Sequence, residues 1–236
     1  MVIRVDGSSV GIVSGGCLET DLALHAQEVH ESRTSRSVTY DTRGDDEAAW
    51  GLGLGCNGLM DVLIEPLDPH QAGQVANEIA ADLEKSAIRL VICGSGPDAY
   101  PLVRFASELD WNVTVVDHRA LDHPVRFHDA TVVDSLEKTL IDNRTAAVVM
   151  SHHFERDREF VRVLLESPAA YIGVMGPRQR FERMSHPEDE RLYAPVGLDI
   201  GGRSPDAIAL AIITEAASVM NRRSGGHLRD QATIHN

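Results

Sequence analysis

The sequence predicts an α/β protein in which a domain built on a parallel sheet follows a smaller α+β domain. From residue 88 onward, apolar strand-like runs alternate with helix-length segments, which is typical of βαβ units. The first such run is followed directly by a glycine-rich turn at Gly94. The 236 residues are 43% hydrophobic and 25% charged, so the chain is long enough to bury a core in one or two domains.

Charge and cysteine content narrow the class of protein. A net charge of −14 argues against a nucleic-acid partner, because binding a phosphate backbone needs a basic face. Three cysteines do not form a disulfide framework, which favours a reducing compartment. The opening MVIRVDGSSV lacks the apolar core of a signal peptide, and no run is long enough to span a membrane. We therefore expect a cytoplasmic protein without a membrane span.

Residues 1–68 form the predicted first domain. Apolar residues on both sides of Asp6-Gly7 predict a hairpin, and helical spacing of apolar residues predicts a helix from Cys17 onward. Strands are predicted at Ser37–Tyr40 and Met60–Ile64, with the glycine-rich stretch WGLGLGCNGLM running into the second of them.

A helical linker is predicted at 69–86, a sheet domain at 87–223 and a disordered tail at 224–236. Proline spacing and polar composition mark the first and last of these boundaries. The strands of the sheet domain are predicted at Ile88–Cys93, Val113–Val116, Ala130–Val133, Ala146–Met150 and Ala170–Val174. Its helices are predicted at Pro101–Leu109, Ser135–Asp142 and Arg156–Glu166, with a last helix starting at Ser204-Pro205.

The turn Gly94-x-Gly96-x-x-Ala99 matches the dinucleotide fingerprint in its alanine variant. It lies between a strand and a helix, and the next strand ends in Asp117, so the domain is predicted to be of the Rossmann type. Gly94 permits the tight turn, and Gly96 lets a pyrophosphate approach the backbone at the helix N-terminus. Asp117 is placed to accept hydrogen bonds from ribose hydroxyls.

Four further stretches, taken with this loop, closely resemble the xanthine dehydrogenase accessory protein family, XdhC/CoxI. They are SGGCLE (14–19), GCNG (55–58), YIGVMG (171–176) and PVGLDIG (195–201). The resemblance covers nearly the whole chain. It implies an XdhC/CoxI-type first domain and a Rossmann-type second domain.

The resemblance also implies a function. Members of this family bind the molybdenum cofactor, protect it while its sulfido ligand is installed, and deliver it to molybdenum hydroxylases. The implied partners are a client such as xanthine dehydrogenase, a cysteine desulfurase and a second copy of the chain. The protein is then a cofactor-handling chaperone rather than an enzyme with turnover.

Three departures from the family pattern stand out. The family usually has a segment ahead of the SGGC turn, so we expect the first domain to be incomplete. Asn57 interrupts a motif that commonly reads GCGG, and Pro177 stands where a serine is frequent.

Two glycine-flanked cysteines are candidate ligands for the metal end of the cofactor. Cys17 follows Gly15 and Gly16 at a predicted helix start, which favours a thiolate, and sulfur suits molybdenum or its sulfido group. Cys56 lies in the second glycine-rich stretch. The alternative is that either thiol is a small buried hydrophobic residue, which is the interpretation we favour for Cys93.

Other candidate binding residues follow predicted strands of the sheet. His152 follows the fourth strand, and Gly176 and Arg178 follow the fifth, at the edge where open α/β sheets bind ligands. Arg178 is a candidate phosphate clamp. Asp199 lies in the PVGLDIG loop and either binds ligand or organises the turn.

Two other functions remain open from the sequence. The Gly94 loop and Asp117 are also compatible with an NAD(P)-dependent oxidoreductase, for which His152 and Arg178 are the available proton donor and substrate clamp. A non-catalytic interaction protein with a vestigial nucleotide site is the third possibility. The sequence decides neither the client nor the mononucleotide or dinucleotide form of the cofactor.

Overall fold

The computed structural model describes most of the chain, namely residues 1–41, 59–68, 70, 72–122, 124–184 and 188–230. Its contacts divide the chain into two compact units, Met1–Ala80 and Ala81–Asn236. The boundary falls inside the helix that the sequence predicts as a linker. No helix in the described part of the chain is both long and apolar enough to cross a membrane.

The first unit contains two small antiparallel sheets and a long helix. Its elements are β1 (Val2–Ile3), β2 (Ser9–Val10), α1 (Glu19–Ser32), β3 (Arg36–Asp41) and β4 (Leu59–Ile64), and helix α2 (Ala72–Ser86) crosses the unit boundary. Strands β3 and β4 pair over their full length, from Arg36 opposite Ile64 to Asp41 opposite Leu59. Both strands confirm the prediction from sequence.

The predicted hairpin is present but shorter than expected. Val2 pairs with Val10, and the turn between the strands contains Gly7 at φ +83°. Asp6 accepts a hydrogen bond from the backbone N–H of Ser8, at 2.9 Å, which closes the turn. Strand β2 ends before Ile12, a residue that is 74% exposed.

The second unit is a doubly wound α/β domain, which confirms the predicted fold class. In the part of the chain that is described, six parallel strands lie in the order β10-β9-β8-β5-β6-β7. The strands are β5 (Arg89–Cys93), β6 (Asn112–Val116), β7 (Thr131–Val133), β8 (Thr145–Val149), β9 (Tyr171–Val174) and β10 (Leu192–Tyr193). The helices are α3 (Ala99–Glu108), α4 (Phe154–Leu165), α5 (Arg178–Glu182) and α6 (Pro205–Met220).

The two faces of this sheet are buried under different helices. Leu90 and Ile92 of β5 belong to the core that includes Leu102 of α3 and Ile212 of α6. The alternating residues of the same strand belong to the opposite core, which includes α4 through Leu164. This alternation explains why the strands are apolar throughout, as expected for a parallel sheet covered on both sides.

One predicted helix is absent. Ser135–Asp142 contains only a single 3-10 turn, Leu136–Lys138, followed by Thr139 in extended conformation. Leu136 is buried, but Leu140, one turn further along, is 65% exposed. A second helical turn would therefore bury no apolar face, and the β-branched Thr139 does not favour it.

Helix α5 and the edge strand β10 were not predicted from the sequence. Each contains fewer than six residues, too few to show a periodic pattern. In the predicted tail, residues 224–230 are exposed and include a 3-10 turn at Leu228–Asp230, while 231–236 lie outside the described residues.

Arg191 ties the end of α4 to the edge of the sheet. Its guanidinium donates hydrogen bonds to the backbone carbonyl oxygens of Leu165, Ser167 and Ala169, at 2.8–2.9 Å. It also pairs with Asp189, whose carboxylate lies 2.7 Å from Nη2. One side chain thus satisfies the carbonyl group of the last residue of α4 and two carbonyl groups of the connection to β9.

We predict that Arg191→Ala lowers the free energy of unfolding by about 2 kcal/mol, because three partly buried carbonyls and Asp189 lose a charged donor. Arg162→Ala is the matched control, since Arg162 pairs with exposed Glu159 and Glu166 and its loss costs less than about 1 kcal/mol. Urea denaturation measures both. Equal losses would contradict a capping role for Arg191.

Candidate functional site

The loops that follow β5, β6, β8 and β9 meet at the carboxyl edge of the parallel sheet. Because β5 and β8 are neighbours whose helices α3 and α4 lie on opposite faces, the strand order reverses there. Open α/β sheets bind ligands at such a switch point. This edge is therefore the candidate site of the second unit.

Gly94 is required by the fold itself. Residues with a side chain rarely adopt its φ of +135°, and a Cβ there would lie 2.7 Å from the carbonyl oxygen of Met150. The loop after β5 thus packs directly on the backbone of the loop after β8. Gly94 also donates a backbone hydrogen bond to Val116, at 3.2 Å.

Gly96, in contrast to Gly94, is not required by packing. A Cβ at this position would make only an ordinary van der Waals contact with the His152 ring, at 3.6–3.7 Å. In the described chain, no residue accepts a hydrogen bond from the backbone N–H of Ser95 or Gly96. The loop therefore offers two unpaired backbone donors, which suit an anion.

His152 lies against this loop, as its predicted place after the fourth strand requires. Its backbone has φ +59°, and its Nε2 lies 3.5 Å from the Asp98 carboxylate. The side chain is half exposed. The structure thus brings His152, Gly94 and Gly96 together, whereas a ligand-binding role for His152 remains a prediction.

Asp117 is fully buried at the end of β6 and already has several hydrogen-bond partners. Its Oδ2 accepts hydrogen bonds from the Ser95 hydroxyl at 2.8 Å and from Nη2 of Arg119 at 2.7 Å. Burial by itself raises the pKa of Asp117, but hydrogen bonds from Arg119 and Ser95 outweigh it and hold the pKa below its ordinary value of 3.8. The predicted ribose contact would have to compete with these donors.

A buried ion pair holds the loop after β8. Asp157, on the first turn of α4, accepts hydrogen bonds through Oδ1 from the Ser151 backbone at 3.0 Å and hydroxyl at 2.6 Å. Its Oδ2 pairs with Nη2 of Arg180, at 2.5 Å. The sequence analysis did not identify Asp157 as a functional residue. The signal that could have identified it is Ser151 at a strand end, six residues before an acid.

Arg180, not Arg178, is the arginine that turns inward after β9. Gly176 has φ +128°, and a Cβ there would lie 3.3 Å from Cδ of Arg180. The Nε of Arg180 is buried and has no hydrogen-bond partner in the described part of the structure. Arg178 is exposed at the start of α5, and its role as a phosphate clamp remains a prediction.

The PVGLDIG loop is organised by Glu215 of α6. One of its carboxylate oxygens accepts hydrogen bonds from the Tyr171 hydroxyl at 2.6 Å and from the Gly197 backbone N–H at 2.9 Å. Burial and this carboxylate raise the pKa of Tyr171. Asp199, the predicted candidate, is exposed in the same loop, and a ligand-binding role for it remains a prediction.

In the first unit, the SGGCLE turn is organised by the carboxylate of Glu19. Its Oε1 accepts hydrogen bonds from the backbone N–H groups of Val13 and Ser14, both at 2.9 Å. Its Oε2 accepts them from the Ser14 hydroxyl and the Gly16 N–H, at 2.7 and 2.9 Å. The backbone and hydroxyl of Ser14, followed by Val13, lower the pKa of Glu19 to about 2. Glu19 was not predicted, although its place at a helix start was a signal.

Cys17 lies exposed at the tip of this turn, just before the N-cap residue Leu18 of α1. Gly15 and Gly16 have φ of +72° and +112°, and a Cβ at either would meet nothing within 4 Å. These glycines therefore serve the backbone path and not a close approach. An exposed thiol excludes the interpretation of Cys17 as buried filler.

The other two cysteines differ from Cys17. Cys93 is fully buried, and burial followed by the nearby Asp157 raises the pKa of its thiol, so it is a core residue as predicted. Cys56 and Asn57 lie outside the described residues, so a role for Cys56 stays a prediction.

Replacing Glu19 tests the organisation of the SGGCLE turn. We expect Glu19→Gln to shift the amide NMR signals of Val13, Ser14 and Gly16, because a neutral amide is a weaker acceptor than a carboxylate. In the parent, the same signals should move as the pH falls from 4.5 to about 2. Because the pKa of Glu19 is lowered in the folded protein, its carboxylate stabilises the fold at pH values above its ordinary pKa. This stability is lost as the carboxylate is protonated. Glu31→Gln, on the exposed end of α1, is the control and should leave the turn unchanged.

The two glycines of the loop after β5, Gly94 and Gly96, should respond differently to replacement by alanine. Gly94→Ala is expected to cost about 3 kcal/mol or more, because its Cβ overlaps the Met150 carbonyl in a strained backbone. Gly96→Ala should melt within a few degrees of the parent, yet bind pyrophosphate more weakly in titrations. Unchanged pyrophosphate affinity in Gly96→Ala would place anion binding elsewhere.

Comparisons with known proteins agree with this architecture. The family model described as the XdhC Rossmann domain matches residues 90–216, and the model described as the XdhC and CoxI family matches residues 1–41. A protein from Bacillus halodurans, whose crystal structure is described as that of a xanthine dehydrogenase, superposes with a TM-score of 0.78 at 30% identity. That match covers 94% of this chain and 86% of the other.

Two curated relatives match over nearly the whole chain. A probable xanthine dehydrogenase subunit of Bacillus subtilis is 24% identical, over 94% of this chain and 88% of its own length. The molybdenum cofactor insertion chaperone PaoD of Escherichia coli is 24% identical, over 93% of this chain and 77% of its own. The two family models together cover parts of both units. The chain therefore belongs to the XdhC/CoxI family of xanthine dehydrogenase accessory proteins.

Proposed function

We propose that this chain is a molybdenum-cofactor chaperone that binds the cofactor and supports its insertion into a molybdenum hydroxylase of the xanthine dehydrogenase type. The observation that carries the proposal is the match to PaoD, a molybdenum cofactor insertion chaperone, over 93% of the chain. The relative named for xanthine dehydrogenase supports the class of client.

The carboxyl edge of the sheet fits the anionic end of such a cofactor. The backbone N–H groups of Ser95 and Gly96 have no partner among the described residues, and Nε of Arg180 is buried without one. The guanidinium groups of Arg119 and Arg156 are partly exposed at the same edge. A chain with a net charge of −14 thus gathers positive charge and free donors where a phosphate group would bind.

Cys17, considered within the first unit alone, suits the metal end of the cofactor. The bound cofactor supplies molybdenum, for which a thiol is a soft ligand. The turn held by Glu19 presents the thiol to solvent on a fixed backbone, so little ordering is needed when a ligand arrives. We propose that Cys17 contacts the metal or its sulfido group.

An NAD(P)-dependent oxidoreductase is the alternative that shares the Gly94 loop. Its support is the glycine fingerprint. The buried carboxylate of Asp117 speaks against the NAD form, since the acid that would accept from an NAD ribose is paired with Arg119 and Ser95. An arginine at this position is compatible with the 2′-phosphate of NADP. Bound nicotinamide together with measurable hydride transfer would favour this alternative.

The proposed function also implies partners and a cellular location for the protein. We infer a homodimer, because the hairpin side chains Val2, Val5 and Val10 are 51–69% exposed and apolar. A molybdenum hydroxylase client, a cysteine desulfurase and a cytoplasmic location complete the proposed setting.

Replacing Cys17 tests the role of the exposed thiol. We expect Cys17→Ala to change the free energy of unfolding by less than about 1 kcal/mol, because the side chain is exposed. Retention of molybdenum cofactor, measured anaerobically by metal analysis and pterin fluorescence, should fall severalfold.

Cys93→Ala is the matched control for this experiment. It removes a thiol from the buried core, so it should destabilise the fold by about 1–2 kcal/mol and leave cofactor binding per folded molecule unchanged. Cofactor retention by Cys17→Ala equal to that of the parent would contradict a ligand role for this thiol.

A further inference from the structure

The end of β6 lacks the free acid that a nucleoside ribose needs. In a dinucleotide-binding sheet, a carboxylate at this position accepts hydrogen bonds from the ribose hydroxyls. Here Asp117 is 0% exposed, and both its oxygens accept hydrogen bonds from Arg119, which also donates through its backbone N–H. Ser95 supplies a further donor. A ribose diol arriving here would have to displace an internal ion pair.

Positive groups surround the buried carboxylate instead. Arg119 is 55% exposed, and Nη2 of Arg156, 31% exposed, lies 3.6 Å from Oδ1 of Asp117. Nδ1 of His118 lies at the same distance from that oxygen. One buried negative charge thus faces two permanent positive charges, and both guanidinium groups are partly exposed.

The two guanidinium groups are held in place from different elements. Arg119 is fixed by its fork of hydrogen bonds to Asp117, directly after β6. Arg156 lies on the first turn of α4. Its guanidinium lies over the ring of Phe160, with the guanidinium carbon 5.8 Å from the ring centroid. Both have N–H groups beyond those used by Asp117, because a guanidinium carries five.

We infer that Arg119 and Arg156 form a phosphate-binding site at the end of β6, in the place where a ribose diol binds in dinucleotide-binding sheets. Guanidinium groups recognise phosphate oxygens by paired, charge-assisted hydrogen bonds. Asp117 is then a positioning residue that orients Arg119 and does not contact the ligand.

This inference rests on the proposed function only for the identity of the natural ligand. If the ligand is the molybdenum cofactor, the two arginines bind its anionic end together with the backbone donors of Ser95 and Gly96. The site itself can be probed without the cofactor, so the two ideas can fail separately.

Two nucleotides that differ by one phosphate give the direct test. Adenosine 2′,5′-bisphosphate carries a phosphate where adenosine 5′-monophosphate has a ribose hydroxyl. We expect calorimetric titration to show that the parent binds the bisphosphate about tenfold or more tightly than the monophosphate. Equal affinities for the two nucleotides would overturn the inference.

Variants assign the preference to the two arginines. Arg156→Gln should lose most of the preference and keep its affinity for the monophosphate. Arg119→Lys retains the charge beside Asp117 but loses the paired hydrogen bonds of the guanidinium, so it should also reduce the preference for the bisphosphate. Arg158→Gln is the control, because Arg158 lies on the same helix and pairs with Glu155, so its preference should equal that of the parent.

Each remaining outcome decides the matter. Thermal melts establish that the variants are folded, and a folded Arg156→Gln with an undiminished preference would place the phosphate elsewhere. A protein that shows the preference but carries no molybdenum cofactor would contradict the proposed function and leave this site standing.

Discussion

Carboxylates that accept hydrogen bonds from loop N–H and hydroxyl groups fix the loops on which the candidate sites depend. Asp157 holds the loop after β8, Glu215 the PVGLDIG loop, and Glu19 the SGGCLE turn. At the end of β6, Asp117 joins the loop after β5 to Arg119. Each carboxylate is one charged group that accepts several hydrogen bonds from its loop. Hydrogen bonds to a charged acceptor are stronger than those between neutral groups.

This arrangement determines which charges face a ligand. Asp117 and Asp157 at the sheet edge are buried and paired, whereas Arg119 and Arg156 remain partly exposed. An acidic chain therefore presents two guanidinium groups at the carboxyl edge of its sheet. These groups suit a phosphate better than they suit the free ribose diol of NAD.

The sequence predicted the fold well because its strongest signals are local. Apolar runs marked five of the six described strands of the parallel sheet, and the Gly94 turn marked the edge where such sheets bind ligands. It failed for Ser135–Asp142, where an exposed Leu140 leaves nothing for a second helical turn to bury.

The organising carboxylates were harder to predict, because their partners are distant in the chain. Tyr171 meets Glu215 across 44 residues, and Asp157 meets Arg180 across 23. Residue spacing cannot reveal such pairs, so the sequence did not indicate that Arg180 and Glu215 organise these loops. The exposed position of Cys17 was likewise decided by the turn around it and not by residue type.

What the protein carries from the cell tests the central claim most directly. The chain should be purified anaerobically, and the denatured eluate analysed for molybdenum, for pterin fluorescence and for nicotinamide nucleotides. A carrier of the molybdenum cofactor should yield molybdenum and pterin together, in amounts comparable to the protein. Nicotinamide nucleotide in their place, accompanied by hydride transfer, would contradict this account.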